Sequence, residues 1–294
     1  MGLRANPTYR QRRFGAELRR LREQADLSAQ DAASLLGMRQ PQLSSIESGR
    51  TGLSAERVQL LARTVGSISR TYVDALIDMG QRSGKGWWSE YRHVLGAAHL
   101  DLAELEDAAH VVSTYEPMFV PGLLQTREYA AAIHRGGYRQ ATEAEQLAAV
   151  DFRVQRQVVL TGERPPRTHA IIHEAALSGS LGEREVMRGQ LLHLIEVSRL
   201  PHVTIQVLPF DGPVAFGTGF VMIEPQAPEL STVIVSHIEQ SLYLDGADTM
   251  AKYRGWFASL AEVALPPVDA EASPQPHATK DSLGLIQRLL YPLL

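Results

Sequence analysis

Residues 27–50 read LSAQDAASLLGMRQPQLSSIESGR. Ser28 followed by Asp31 predicts a helix N-terminus, because a serine side chain accepts an early backbone N–H of the helix. Gly37 predicts the end of that helix, since glycine adopts the left-handed conformation that a sharp turn requires. A further helix is predicted from Gln40, and two short helices joined by a glycine turn form a helix-turn-helix.

The second of these predicted helices has an outer face of small and polar side chains. Leu43 and Ile46 are predicted to point inward, and at 100° per residue the other positions project outward or flank the helix start. The outward and flanking positions are Gln40, Pro41, Gln42, Ser44, Ser45 and Ser48. This face is narrow enough to approach another molecule closely and carries no bulky apolar group.

The same face has the chemistry that double-stranded DNA requires. Small side chains let a helix enter the major groove, and the amides of Gln40 and Gln42 can donate to and accept from adenine edges. Arg39 and Arg50 stand at the two ends of the helix, where phosphates run. We therefore predict an affinity for DNA that falls steeply as salt rises. The predicted contacts come from Arg39, Gln40, Pro41, Gln42, Ser44, Ser45 and Arg50.

Three further helices are predicted around this pair. Apolar residues recur at helical spacing from Phe14 to Ala25 and predict an amphipathic first helix. Ser54 predicts the N-cap of a fourth helix, and residues 71–79 predict a fifth. Residues 1–81 are thus expected to form an all-α, five-helix helix-turn-helix bundle, and a helical bundle that binds no DNA is the alternative.

Residues 27–50 resemble the helix-turn-helix of the Xre (Cro/repressor) family of transcriptional regulators. The resemblance implies a structural ion pair between Arg22 and Glu47, which family members place between the first and third helices. Two positions depart from the family pattern: Ala29 stands where a phosphate-contacting glutamine is usual, and Arg39 stands where a serine or threonine cap is usual. The resemblance also implies two kinds of DNA contact, base reading by Gln40, Pro41 and Ser45 and phosphate contact by Gln42 and Arg50.

Charge is distributed unevenly along the 294 residues, whose formal net charge is −4. Residues 1–70 contain twelve arginines and six acidic residues, a net charge of +6, and the rest of the chain carries −10. A basic segment on an acidic body is typical of a protein whose first part binds a polyanion. The alternative is a solvated, arginine-rich helix face.

Composition excludes several classes of protein. The sequence has no cysteine, which excludes disulfides, cysteine nucleophiles and thiolate zinc sites. No apolar run approaches the roughly 20 residues that span a bilayer, and residues 1–7 lack the apolar stretch of a secretion signal. We therefore expect a cytoplasmic, nucleoid-associated protein that does not bind membranes.

Residues 87–265 are predicted to form a second domain, separated from the bundle by a hinge at residues 82–86. Segments rich in valine and isoleucine predict four strands, at residues 168–173, 203–208, 220–224 and 232–238. Helical patterns separate or follow them, at residues 184–200 and 247–264. The domain is therefore expected to be α+β. Because the last strands have connections too short for crossover helices, we predict a mainly antiparallel sheet.

An aromatic stripe opens this second domain. Trp87, Trp88 and Tyr91 lie at helical spacing, a pattern that indicates either ordinary packing or the wall of a pocket for a ligand or partner. The sequence does not choose between these two interpretations, and the three residues are kept as a candidate ligand or partner site.

Most of the second domain resembles the antitoxin-like domain attached to Xre-type regulators of high-GC Gram-positive bacteria. The residues that carry this resemblance are YEPMFVPGLLQT at 115–126, VLPF at 207–210 and SLYLD at 241–245. The resemblance implies a regulator paired with a small protein encoded nearby, and it implies no catalytic residues.

Catalytic and metal-binding patterns are weak. His169 and His173 would suit zinc on a helix, but the residues between them predict a strand, on which the two would lie about 13 Å apart. Glu104, Glu106 and Asp107 are interpreted as the solvated side of a helix. We therefore predict no catalytic residue, no metal, no cofactor and no enzymatic activity.

The end of the chain predicts a linker followed by an amphipathic helix. Residues 266–280 are rich in proline and small residues, and residues 281–294 alternate apolar and polar positions at helical spacing. The apolar stripe must be buried. It could pack on its own domain, bind a second subunit or dock a partner protein.

Three functions remain open on the sequence alone. The first is a DNA-binding transcriptional regulator, dimeric because one recognition helix reads few base pairs, whose C-terminal domain senses a partner protein or small molecule. The second is an antitoxin-like module that sequesters a small partner protein and regulates its own operon. The third, an enzyme with a DNA-binding appendage, lacks a convincing catalytic constellation.

Overall fold

The computed structural model describes residues 6–81, 86–137, 141–179, 181–212, 218–236, 241–271 and 281–294. These residues form two compact units. The first unit consists of three segments: the chain up to Arg92, Gly96–Leu105 and Gln226–Leu230. The second unit consists of His93–Leu95, Glu106–Pro225 and Ser231–Leu294. The predicted hinge falls largely outside the described residues, so the predicted domain boundaries stay a prediction. Within the described ranges, no helix is both long and apolar enough to cross a membrane.

The first unit is helical, as the sequence predicts. Its helices are α1 (Tyr9–Gln24), α2 (Ala29–Leu35), α3 (Gln40–Glu47), α4 (Ala55–Ala62) and α5 (Arg70–Gln81). Helix α6 (Ala97–Asp107) starts in this unit, and its last two residues belong to the second. The first helix begins five residues earlier than its apolar spacing indicates, because Thr8 caps it.

Local signals set the turn between α2 and α3. The Ser28 hydroxyl accepts the backbone N–H of Asp31 at 3.1 Å and so caps α2, as predicted. Gly37 has a φ of +63°, the left-handed conformation that ends α2 and lets α3 start at a new angle. These two residues place the α2–α3 pair where the sequence predicts a helix-turn-helix.

Leucines from four helices form the core of the first unit. The most buried of these are Leu18, Leu21, Leu43, Leu61 and Leu76. The segment Gln226–Leu230 adds Ala227 and Leu230 to the same core. Helices α1 and α3 approach so closely that a Cβ added at Gly15 would lie 2.5 Å from the Glu47 carbonyl oxygen.

The second unit is an α+β domain built on a six-stranded sheet. Its strands are β1 (Val111–Glu116), β2 (Arg167–His173), β3 (Val203–Leu208), β4 (Phe220–Glu224), β5 (Thr232–Val235) and β6 (Leu242–Leu244), arranged in the order β3-β2-β1-β4-β5-β6. Its helices are α7 (Arg127–Gly137), α8 (Glu143–Arg156), α9 (Glu174–Ser178), α10 (Arg184–Val197), α11 (Ala247–Val263) and α12 (Ser282–Leu290).

The sheet is mixed, so the prediction of a mainly antiparallel sheet is wrong. Strand β1 runs parallel to β2, and β2 runs parallel to β3. The pairs β1–β4, β4–β5 and β5–β6 are antiparallel, which agrees with the short connection between β4 and β5. Helices α7 and α8 connect β1 to β2, and α9 and α10 connect β2 to β3. These connections are long enough to return the chain to the starting edge of the sheet, which parallel pairing requires.

The two faces of the sheet pack against different helices. On one face, β-strand residues such as Val112, Ile172 and Ile205 pack with leucines of α10 and α12. On the other face, Tyr115, Ile171 and Val233 belong to the cluster that includes Met250, Phe257 and Leu260 of α11. Alternate residues of each strand thus serve opposite layers, as the period of two in a strand dictates.

The C-terminal helix packs on its own domain, which selects one of the three alternatives that the sequence left open. In α12, Leu285, Ile286 and Leu290 are buried in the core beside β3. The Ser282 hydroxyl accepts the backbone N–H of Val207 at 2.9 Å, so the helix start also covers the outer edge of β3. In the predicted linker, residues 266–271 are described and residues 272–280 lie outside the described ranges.

Candidate DNA-binding surface

Helix α3 is held by its inner side and its first turn. Leu43 and Ile46 are 1% and 4% exposed, as their spacing predicts. The backbone N–H of Arg39, which precedes the helix, donates to Oε1 of Gln42 at 2.8 Å. Arginine has no side-chain acceptor with which to cap a helix, so Gln42 supplies the reciprocal half of a capping box.

The outer side of α3 presents most of the predicted DNA-binding residues to solvent. Among these residues, only Ser45 is half-buried, and its hydroxyl donates to the Pro41 carbonyl oxygen at 3.0 Å. The exposed residues are Arg39, Gln40, Pro41, Gln42, Ser44 and Arg50. The structure therefore brings the predicted residues together on one surface, which we call the α3 outer face.

The two glutamines differ in what they can offer a ligand. Oε1 of Gln42 already accepts one hydrogen bond, from the Arg39 backbone, so one of its two lone pairs is used. The Gln40 side chain makes no hydrogen bond within the described part of the chain, so both its donors and its acceptor are available. Gln40 therefore has the greater free hydrogen-bonding capacity for a base edge.

An ion pair fixes α3 to α1. The Arg22 guanidinium donates to both carboxylate oxygens of Glu47, at 2.6 and 3.3 Å, and to the Leu27 carbonyl oxygen at 3.0 Å. Both side chains are largely buried, and the hydrogen bond that Arg22 donates to Glu47 raises the pKa of Arg22. The structure thus places these two residues together, between the first and third helices.

Two groups of arginines in the first unit differ in burial and in partners. Arg10 and Arg13 are buried and pair with Glu104 and Glu17, at 2.6 and 2.9 Å. By contrast, Arg39, Arg50 and Arg57 are exposed and form no ion pair with any described acidic residue. The first group stabilises the unit, and the second leaves uncompensated positive charge around α3.

Arg57 is a residue that the sequence analysis missed. It lies near the start of α4, and one of its guanidinium nitrogens lies 3.5 Å from the Gly37 carbonyl oxygen. This places a third exposed cation beside the turn of the helix-turn-helix. No local pattern signals the position, because it depends on how α4 packs against the turn.

The aromatic stripe of the sequence analysis forms a short 3-10 helix, Trp87–Tyr91. Trp88 is 7% exposed, and the rings of Trp87 and Tyr91 meet edge to face with centroids 6.2 Å apart. Trp87 and Tyr91 are half-buried. These contacts are what ordinary packing produces, and a ligand or partner role for the three residues stays a prediction.

The histidine pair lies on β2, so the helical interpretation that would suit zinc is wrong. Nε2 of His169 lies 2.7 Å from Oε1 of Gln206, and Nδ1 of His173 accepts the backbone N–H of Ala175 at the start of α9. Burial lowers the pKa of both histidines. Within the described residues, no group of histidine and acidic side chains could hold a metal ion.

Two of the carboxylates interpreted as solvated are buried instead. Glu104 is 6% exposed and pairs with Arg10, and Glu106 is 3% exposed and accepts two hydrogen bonds from Arg156, at 2.6 and 2.8 Å. Asp107 is exposed, as expected. The helical pattern could not show this, because the partner arginines come from α1 and α8. These ion pairs join helices and expose no acid for catalysis.

A carboxyl group with a raised pKa lies at the end of β1. The side chain of Glu116, the last residue of β1, forms no hydrogen bond within the described residues. Burial raises the pKa of this carboxyl to about 7, against the opposing effect of Arg153. A Cβ added at Gly219 would lie 2.8 Å from Oε2 of Glu116, so the backbone directly before β4 passes close to the carboxylate.

Comparison with known families agrees with the geometry of the first unit. Residues 13–76 match the family described as a helix-turn-helix domain, which makes this part of the chain a domain of the class found in DNA-binding regulators. Residues 100–272, more than half of the chain, match the family described as a domain of unknown function (DUF5753). The chain belongs to that family. No curated protein and no solved structure matched.

Proposed function

We propose that the protein is a sequence-specific transcriptional regulator of the Xre type that binds operator DNA through the α3 outer face. The observation that carries this proposal is the α3 outer face itself. It is exposed, small and polar, it lies within a helix-turn-helix domain, and unpaired arginines stand at both of its ends. A solvated surface helix has no need of unpaired cations at both ends, whereas a phosphate backbone supplies their counter-charge.

The contacts divide by chemistry. Gln40 reads base edges, because its amide is free to donate and to accept. Pro41, Ser44 and Ser45 are small enough to let the helix backbone approach the groove floor. Arg39, Arg50 and the Nε2 group of Gln42 bind phosphates, and the position of Arg57 beside the turn adds a fourth phosphate contact.

The regulator acts as a homodimer in this proposal. One eight-residue recognition helix reads few base pairs, and two copies related by a two-fold axis read an inverted repeat. The second domain then senses a partner protein or a small molecule and changes operator affinity. We also propose that the protein works in the cytoplasm, at the nucleoid, and that it needs no cofactor and has no enzymatic activity.

A second candidate function is an antitoxin-like module that sequesters a small protein encoded nearby. One observation favours it over a purely small-molecule sensor. Four large apolar side chains are 43–66% exposed on segments that adjoin the carboxyl ends of β1, β3 and β5: Met118, Phe119, Phe210 and Leu242. Exposed apolar groups concentrated at one edge are typical of protein interfaces.

Selection from a random pool of DNA duplexes tests the proposed function without a guessed operator. The full chain is expected to enrich an inverted repeat whose half-sites lie about 10 base pairs apart, one helical turn. A Gln40→Ala variant is expected to lose preference at one base pair of each half-site, by roughly tenfold to a hundredfold. Enrichment of no sequence by the wild-type chain would contradict the proposal.

The partner hypothesis has its own test. Titration of the purified product of the adjacent gene into the full chain is expected to release heat with a one-to-one stoichiometry if the module sequesters that protein. A Phe210→Ser variant is expected to weaken this binding, and a Leu192→Ser variant, which removes an exposed apolar side chain from α10, serves as the control. The absence of binding heat with both the wild-type chain and the control variant would eliminate this partner.

A further inference from the structure

The outer face of α11 combines small residues with three charged ones. The inner side of this helix, with Met250, Phe257 and Leu260, is buried against the sheet. Two exposed residues are set apart: Ala247 is the first residue of the helix, and Arg254 pairs with Glu224 of β4 at 2.6 Å. We call the other nine exposed residues the α11 outer face: Asp248, Ala251, Lys252, Gly255, Trp256, Ala258, Ser259, Glu262 and Val263.

A solvated helix face is normally rich in charged and long polar side chains. The α11 outer face instead has small residues along its middle and two large apolar side chains at one flank. Trp256 and Val263 are 41% and 42% exposed. Solvent exposure of a tryptophan and a valine on one helix flank is costly, and the cost disappears if a second surface covers them.

Gly255 lies at the centre of this face. A glycine inside a helix costs roughly 0.5–1 kcal/mol relative to alanine, and no atom lies within 4 Å of a Cβ added here. The second unit therefore has no internal need for glycine at this position. Open space alone does not indicate a contact, because Gly189 of α10 has the same property with Glu185 and Glu196 on its exposed surface.

Two of the three charged residues of the α11 outer face complement a second copy of it. Lys252 and Glu262 form no ion pair with any described residue. They lie five residues, about 7.5 Å, to either side of Phe257 along the helix axis. An antiparallel two-fold arrangement centred at that level brings Lys252 of one copy level with Glu262 of the other, within reach of two long side chains.

The same arrangement matches the small residues. Gly255 and Ser259 lie two residues to either side of the centre, so Gly255 of one copy meets Ser259 of the other and the helix backbones approach closely. The Trp256 side chains of the two copies lie on the same side of the plane that contains both helices, where they cover each other. One position of the two-fold axis therefore matches both the small residues and the Lys252–Glu262 pair.

We propose that the α11 outer face is the interface through which two copies of this chain form a symmetric dimer. The inference deepens the proposed function, because it locates the dimer on which an inverted-repeat operator depends. It is tested without DNA, so a failure to dimerise and a failure to bind an operator are separate results.

Gly255→Arg and Gly189→Arg form a matched pair for sedimentation analysis of the full chain. Both replace an exposed helical glycine with open space above it, so both are expected to keep or raise the thermal midpoint. The wild-type chain and Gly189→Arg are expected to dimerise, and Gly255→Arg is expected to raise the dimer dissociation constant by at least tenfold, or roughly the loss of one good contact.

A charge exchange gives an independent measurement that does not depend on the glycine. Lys252→Glu and Glu262→Lys each replace two attractions by two repulsions in a symmetric dimer, and each is expected to weaken association by about tenfold. The double variant restores opposite charges and is expected to recover the wild-type constant. Glu163→Lys, an exposed change in a turn, is the control.

Three results would overturn the inference. One is a wild-type chain that stays monomeric up to about 100 μM, because an interface of standard size is expected to associate below that concentration. Another is equal dimerisation of Gly255→Arg and Gly189→Arg. The third is a double charge variant no better than either single one, which decides the matter if Gly255→Arg fails to fold.

Discussion

Two ion pairs of the first unit join the same residue types in different surroundings. Arg22 and Glu47 have side chains 12% and 13% exposed, whereas Arg19 and Glu23 have side chains 62% and 52% exposed. Exposed pairs contribute little because water and salt screen them, and a buried partner left alone retains the cost of its lost hydration. The first pair is therefore the one on which the position of α3 depends.

We expect Glu47→Gln to lower the free energy of unfolding by about 1–3 kcal/mol, because it leaves a largely buried guanidinium with only the exposed carboxylate of Glu23, 3.6 Å away. Asp74→Asn, the matching change in the exposed Arg70–Asp74 pair, whose side chains are 94% and 61% exposed, is expected to cost less than about 0.5 kcal/mol. Urea unfolding followed by circular dichroism measures both. Equal losses for the two variants would show that the Arg22–Glu47 contact does not hold α3.

The Glu116 carboxyl gives the second unit a pH-dependent stability. Its pKa is about 7 in the folded chain, because burial disfavours the charged form, and near 4.5 when unfolded. Between these pH values the folded state keeps a proton that the unfolded state has released. Stability contributed by this group is thus present below about pH 4.5 and is lost as the pH rises to 7.

We expect Glu116→Gln to change stability little at pH 5 and to raise it by about 1–3 kcal/mol at pH 8, since the variant has no charge to bury. Chemical denaturation at the two pH values measures the difference. Glu163→Gln, in an exposed turn, is the control and should not alter the pH profile. A Glu116→Gln curve parallel to that of the wild type would show that this carboxyl ionises normally.

At the scale of elements, the C-terminal helix is part of the second unit's core. Ile286 is 0% exposed, and the neighbouring Gln287 is exposed on the opposite side of α12. We expect Ile286→Ala to cost about 2–4 kcal/mol through lost burial and the cavity left behind, and Gln287→Ala to cost little. Thermal unfolding measures both. A stable Ile286→Ala variant would indicate that α12 does not pack as described.

Helices with strong local signals could be predicted from the sequence, and the sheet topology could not. Ser28, Gly37 and the spacing of Leu43 and Ile46 define α2 and α3 because caps and periodicity act within a few residues. The centre of the sheet was missed, because β1 is not among the four strands that the sequence predicts. Without β1 as a full strand, the two crossover connections and the parallel pairs could not be deduced.

Contacts between distant parts of the chain also limit how much of the candidate site can be predicted from the sequence. The predicted residues do lie on one surface, because α3 and the residues that flank it carry them all. The position of Arg57 depends on the packing of α4, which has no signature in residue type or spacing. The Gln42 side chain already accepts a backbone hydrogen bond from Arg39, three residues before it.

At the scale of the molecule, the first unit is not a continuous piece of chain. Ala227 and Leu230, 0% and 5% exposed, belong to its core, and the Glu229 carbonyl oxygen accepts a hydrogen bond from Arg13 at 3.1 Å. These residues connect β4 to β5, so their place follows from the tertiary fold and not from local pattern. A fragment that ends with α5 therefore lacks part of the core of its own helical unit.

The central claim is that the α3 outer face reads DNA, and the most direct test is fluorescence anisotropy of the full chain on its selected duplex and on random DNA across a salt series. We expect a steep loss of affinity with salt for the wild type, and a fall of Gln40→Ala towards its random-DNA affinity with an unchanged salt slope. Gln287→Ala, on α12, should behave as the wild type. Equal affinities of wild type and Gln40→Ala for the selected duplex would contradict the account.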